Sequence, residues 1–394
     1  MSAPPTLSAA EAPPRLPVFA LALMAMTGFI VIMTETLPAG LLPQLVSSFG
    51  VSEGTAGQLV SAYALGTVLA AIPAITITQG VSRKPLLVIG LLGFVVANTL
   101  TALAPTLVVA LVARFIGGAF SGLLWGMLAG YARRISDPRA AGKALAIAMT
   151  GTPVALSVGT PLGTLVGTTI GWRWTFVAIS LVTLVVALLV LVTVPNAPGS
   201  SADKRLPLYR VVTIPGVAVI LGVVFTWMLA HNLLYTYIAP YLAQSDVGMR
   251  PDIALFIFGV AALLGIWITG TLIDRALRRL VLAATSLFIG SGAILLVAGG
   301  TLATTMLALV IWGLAFGGAA TQLQTAMGNA SKNSMDVANA MLTTVFNLAI
   351  FGGGALGALL VDNLGAASLP VSMIALSAVA LTLTASGKQN AFPR

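Results

Sequence analysis

From Val18 to Thr34 the chain carries no charged side chain, and the first charge to follow is Glu35, in MTETLPAG. A run of about 20 apolar residues is the length an α-helix needs to cross a bilayer, and a carboxylate inside one needs a partner, a proton or a wet cavity. Such runs recur along the chain, at roughly 18–42, 55–78, 85–104, 106–132, 142–169, 173–194, 212–241, 251–273, 280–299, 302–327, 337–361 and 366–386, read with a window of about 19 residues. Charged residues are 7% of the 394 and mean hydropathy is +1.04, whereas a soluble domain carries about 25% charged residues. The expected fold class is therefore an all-α polytopic membrane protein with twelve transmembrane helices. No segment shows the ten-residue alternation of a membrane β-barrel.

The first run is too long for a signal-peptide core, so it reads as a retained helix behind a Pro/Ala-rich tail, residues 1–17, expected to be disordered. The net charge of +9 is distributed by position. Sixteen Lys and Arg fall in the even-numbered connections and tails, while the odd-numbered connections hold only Arg173 and Arg250, and Arg114 lies inside a helix. That asymmetry places both termini in the cytoplasm of a cytoplasmic-membrane protein, with the bilayer and not a nucleic acid as the basic partner. No cysteine is present, so disulfide and thiolate chemistry are excluded.

PNAPGSSADKRLPLYR, residues 195–210, is long, polar and rich in Pro, Gly and Ser. It divides the chain into six-helix halves, 18–196 and 212–387, joined by a cytoplasmic linker, 197–211, with a short tail at 388–394. TETLPAGLLPQL of the first half lies over HNLLYTYIAPYL of the second, matching Pro43 to Pro240, Glu35 to Asn232 and Thr34 to His231. QGVSRKPLLV lies over DRALRRLVLA, matching Arg83 and Lys84 to Arg278 and Arg279. Two parallel repeats of six helices are a transporter layout, with substrate bound near the midplane between them.

Arg114 is followed by Gly118, Gly122, Gly126 and Gly130, and a second stripe runs Gly151, Ala155, Gly159, Gly163, Gly167, Gly171, with Pro161 inside it. Small residues every four positions allow close helix contact. The stretch GTLIDRALRR, Gly270 to Arg279, resembles the major facilitator signature between helices eight and nine. Its first-half copy has Gln79 for the aspartate and Ile75 for the glycine. GTPLG with the following GWRWTF resembles the drug/proton antiporter branch. TETLPAGLLP, HNLLYTYIAPYL and DVANAMLTTVFNLAIFGGGALG resemble bacterial sugar efflux and arabinose efflux permease-like proteins. The resemblance implies the major facilitator fold, with six-helix halves about a pseudo-two-fold axis, and efflux by alternating access. It also implies a gate at Asp274, Arg275, Arg278, Arg279 and Arg83.

Glu35 is the sharpest single residue. Pro38 lacks an N–H and frees the Thr34 carbonyl one turn back, so the helix is expected to bend beside the carboxylate. Three readings stand: proton coupling, structural pairing with Arg114, or contact with a cationic substrate. Arg114 lies at matching depth, able either to pair with Glu35 or to bond carbonyls of a neighbouring helix. His231, Asn232, Tyr235, Asn339 and Asn347 read as cavity-lining polar groups, with Tyr63 and Trp125 as aromatic walls; packing explains several of them as well. Asp362, Asp246, Arg250, Asp252, Glu53 and Asp137 read as solvated loop or helix-end charges.

A single histidine excludes a multi-histidine metal site, and no ATP-binding or zinc-hydrolase motif is present. The expected activity is proton-coupled efflux of a small organic solute such as a sugar or drug, with no cofactor beyond the coupling proton and a monomeric carrier. A proton-independent exchanger and, more remotely, a membrane-embedded enzyme are the alternatives.

Overall fold

The computed structural model describes residues 16–78, 80–199, 212–331 and 335–393. Residues 1–15, Gln79, most of the expected linker (200–211), Lys332 and Arg394 lie outside them, as do the side chains of Ile75 and Asn339. The described residues contain helices and no strand. Among the described residues, ten helices are long and apolar enough to cross a membrane. One of them, Pro251–Ala298, is 48 residues long and bends at Ala276, where φ is −143° and ψ 25°, so it makes two crossings. Adding the 25-residue helix Glu53–Ile77 brings the total to twelve.

We number them α1 (Val18–Gly40), α2 (Glu53–Ile77), α3 (Arg83–Leu103), α4 (Leu107–Arg134), α5 (Pro138–Ile170) and α6 (Trp172–Thr193) in the first half. The second half has α7 (Val217–Thr236), α8 and α9 (the parts of Pro251–Ala298 before and after the bend), α10 (Leu302–Ala330), α11 (Met335–Leu364) and α12 (Ser368–Ser386). Large apolar side chains such as Ile77, Val192 and Val297 are 80–86% exposed on the outside of the bundle. In water such a surface would aggregate; in a bilayer it is the solvated face.

The internal repeat is visible in three dimensions. α1 breaks at Leu41 and continues as a short helix, Leu42–Phe49; α7 breaks at Tyr237 and continues as Ile238–Gln244. Pro43 and Pro240 lie in the first turns of these extensions. A Cβ at Gly118 of α4 would overlap the Tyr63 carbonyl oxygen of α2, and one at Gly313 of α10 would overlap the Phe258 carbonyl oxygen of α8. The two pairs are displaced along the chain by the same interval. Small residues therefore seat α4 on α2 and α10 on α8 by one geometry.

The α5 stripe packs against α1 in register. Gly151 faces the Ala25 carbonyl, Gly159 faces Phe29 and Met33, Gly163 faces Met33 and Leu37, and Gly167 faces Leu41. Between these contacts α5 carries a π-helical turn, Ala155–Gly159, just before Pro161. Pro161 supplies no N–H to the preceding turn, which accounts for the local widening.

Candidate functional site

Thr34, Glu35 and Pro38 lie together where α1 approaches α2, α3 and α4. Arg114, 1% exposed, reaches from α4 and donates through Nε to the Leu59 carbonyl of α2 at 3.1 Å and through Nη2 to the Glu35 carbonyl at 3.1 Å. Its Nη1 donates to the Thr34 carbonyl. That carbonyl is the one deprived of its helical partner by Pro38. The guanidinium also sits over the Tyr63 ring, 4.6 Å from the centroid. Tyr63 donates to the Val31 carbonyl at 3.2 Å, and Asn98 of α3 donates to Thr34 Oγ1 at 3.1 Å.

Of the two roles open to Arg114, the carbonyl-bonded one is what the geometry contains. Among the described residues it makes no ion pair within 4 Å with the Glu35 side chain, though the two charges interact through space. The Glu35 carboxylate is 7% exposed and accepts no hydrogen bond among the described residues. The guanidinium's bonds thus go to carbonyls, while the neighbouring carboxylate keeps its acceptor positions open. Tyr235 of α7 interacts electrostatically with Glu35 across the halves. Nearby, Thr36 Oγ1 and Thr160 Oγ1 are hydrogen-bonded at 2.8 Å, tying α1 to α5.

The second half answers this polar cluster with aromatic rings. His231 stacks on Phe316 at 3.6 Å between centroids and 12° between planes, with Tyr235, Trp312 and Phe258 within 5.2–5.6 Å. His231 Nδ1 and Trp312 Nε1 are buried without a hydrogen-bond partner among the described residues, and the Tyr235 hydroxyl lies against Thr36 and Thr160 of the first half. Asn232 donates to the Met228 carbonyl at 2.8 Å and Asn347 to the Thr343 carbonyl at 2.9 Å, each within its own helix, which leaves their side-chain oxygens as acceptors. Trp125 is half-buried on α4. Asn339 lies on α11, with its side chain outside the described residues.

The gate residues fall at the even-connection end. Asp274 and Arg275 are exposed, and Asp274 makes no ion pair within 4 Å among the described residues. Arg278 donates to the carbonyls of Thr384, Ala385 and Phe392. The Arg83 backbone N–H donates to the Ala197 carbonyl at 2.8 Å.

At the opposite end the halves are latched together, and Asp362, exposed in the last turn of α11 as expected of a helix-end charge, takes part in the latch. Asp362 of α11 accepts from Ser52 Oγ at 2.8 Å and from the Gly54 backbone N–H at 3.0 Å, capping α2 from the other half. Tyr237 donates to the Gly354 carbonyl at 2.8 Å and lies 3.3 Å from the Gly54 carbonyl, while Ser61 donates to the Phe351 carbonyl at 3.3 Å. Asp252 is a helix-end charge as expected, in the first turn of α8, but it is 8% exposed and paired with Arg250 at 3.0 Å, not solvated. Nothing local signals a cap whose partner lies 310 residues away. Asn98, also missed, did have a signal: it is an isolated amide in an apolar run.

A family profile described as the Major Facilitator Superfamily matches residues 24–354. The crystal structure of the human organic anion transporter MFSD10 (TETRAN) is similar over 94% of this chain and 100% of its own, with a TM-score of 0.73 and 17% identity. At that identity the likeness concerns the fold.

Proposed function

Because the chain belongs to the major facilitator superfamily, and so is a membrane transporter of a small-molecule solute and not an enzyme, we propose that it is a proton-coupled antiporter exporting a small organic solute across the cytoplasmic membrane. The observation that carries this reading is the Glu35 carboxylate. It lies three residues before Pro38 in a membrane-spanning helix, beside a guanidinium whose bonds go to carbonyls, and accepts no hydrogen bond among the described residues.

A proton taken up on the outer side neutralises Glu35 as solute leaves; solute entering from the cytoplasm displaces it. Arg114 supplies the constant positive charge against which the carboxylate changes. Exchange of one proton for one neutral solute moves a net charge, so an inside-negative potential adds roughly 2.3 kcal/mol per 100 mV. His231, Asn232, Tyr235 and Asn347 would face the solute from the second half. The carrier works as a monomer with both termini in the cytoplasm, the orientation that follows from the sixteen-to-two split of basic residues. In that orientation the Asp362 latch closes the outer end, and Asp274 finds a cationic partner when the inner end closes.

The test is transport in proteoliposomes. An imposed pH gradient drives the wild type uphill; Glu35→Gln abolishes the uphill movement and keeps solute exchange. Gradient-driven accumulation that survives the substitution would remove Glu35 from the mechanism and favour the proton-independent exchanger.

A further inference from the structure

We propose that the even-connection end of the second half carries a binding site for a phosphate-bearing anion, held by Arg275 and Arg279. At the bend between α8 and α9 lies a pocket of about 550 Å³ whose lining includes Asp274, Arg275, Arg278, Arg279, Asn329 and Pro393. Three arginines against one aspartate leave its lining positive. Arg278 is held by carbonyls at the end of α12 and by Phe392, so it builds the wall. Arg275 and Arg279 have no hydrogen-bond or ion-pair partner among the described residues.

The first half shows why this space is open. There Arg134 Nη1 donates to the Pro198 carbonyl at 2.7 Å, and the Arg83 and Lys84 backbone N–H groups bond Ala197 and Asn196, so the chain itself covers the end of α4. At the repeat interval that places Gly313 on Gly118, Asn329 falls on Arg134, Pro393 on Pro198 and Arg275 on Gly80. A short amide replaces the long guanidinium that closes the first-half corner, and an added arginine lines the opening. Planar guanidinium groups bind phosphate oxygens bidentately, and basic pockets between helices on the cytoplasmic side of a membrane suit phospholipid headgroups. The same chemistry is offered by soluble phosphate, so the experiment separates the two sources.

Full-length protein is placed in nanodiscs of phosphatidylcholine, with or without phosphatidylglycerol, and retained lipid is read by native mass spectrometry. In a second arm inorganic phosphate is titrated into the phosphatidylcholine sample and followed by thermal unfolding. Affinity should fall about fivefold for each arginine removed, hence about 25-fold in Arg275→Ala/Arg279→Ala, with the double lysine variant between. Both side chains are solvent-facing, and unchanged unfolding of the anion-free variants verifies their fold. A response to phosphatidylglycerol alone assigns the headgroup as ligand; a response to phosphate as well assigns the soluble anion. Equal behaviour of wild type and the double alanine variant in both arms overturns the site.

Discussion

Arg114 and Pro38 solve one problem between them. Proline leaves the Thr34 carbonyl without its helical donor, and a buried carbonyl left unpaired costs roughly 1–3 kcal/mol. Arg114 supplies the donor from another helix, and its other two acceptors, Leu59 and Glu35, retain backbone donors of their own helices. Arg114→Leu, which copies Leu309 at the matching place in the second half, should therefore lower stability by about that amount, read from thermal unfolding in detergent. Pro38→Ala restores an N–H to Thr34, so adding it should recover part of the loss. A double variant no more stable than Arg114→Leu alone would show that the carbonyl is not what Arg114 serves. Glu35, Pro38 and Arg114 were each legible in the sequence as oddities in apolar runs. Which carbonyl Arg114 reaches was not, because three helices must converge before the bond exists.

Glycine spacing marked the α4 and α5 stripes, yet spacing is silent on where along a stripe the neighbour is close. Gly118 and Gly122 meet α2 backbone, whereas Gly130 has nothing within 4 Å of its missing Cβ and Gly126 is exposed. At 3.6 residues per turn, each step of four turns the stripe by about 40° round the helix, which carries Gly126 and Gly130 off the α2 face. Gly118→Ala should cost several kcal/mol, on the order of an overpacked core site or more, since its Cβ meets a carbonyl oxygen that cannot turn aside. Gly130→Ala should be neutral or stabilising by up to about 1 kcal/mol through helix propensity. Comparing unfolding temperatures of the two variants tests this difference along the stripe, and equal losses would contradict it.

Across the whole molecule, the Asp362 cap and the Tyr237 bridge hold the odd-connection end closed. Asp362→Ala removes two hydrogen bonds that join the halves and should shift the population towards opening there. Because the chain has no cysteine, Ser61→Cys, at a position 2% exposed between α2 and α11, gives a clean reporter. Its labelling by a water-soluble thiol reagent should be slow in the otherwise wild-type protein and several-fold faster with Asp362→Ala. Equal rates would mean that the latch carries no weight in closing this end.

The sequence alone determined the solvent and the plan: apolar runs of bilayer length can satisfy their backbone only as helices, and the echo between halves marked a duplicated unit. It also singled out Glu35, since a charge within such a run stands out against its neighbours. Only the tertiary structure decided what surrounds that charge. The Arg114 bonds, the aromatic stack on His231 and the Asp362 cap all join segments far apart in the chain, and their energies depend on distances of a few ångströms that no local pattern encodes. The two repeats share the close contacts at Gly118 and Gly313, and side-chain substitutions beside them separate their roles. Arg114 meets Leu309 and Tyr63 meets Phe258, which turns a polar, chargeable corner in one half into an aromatic wall in the other.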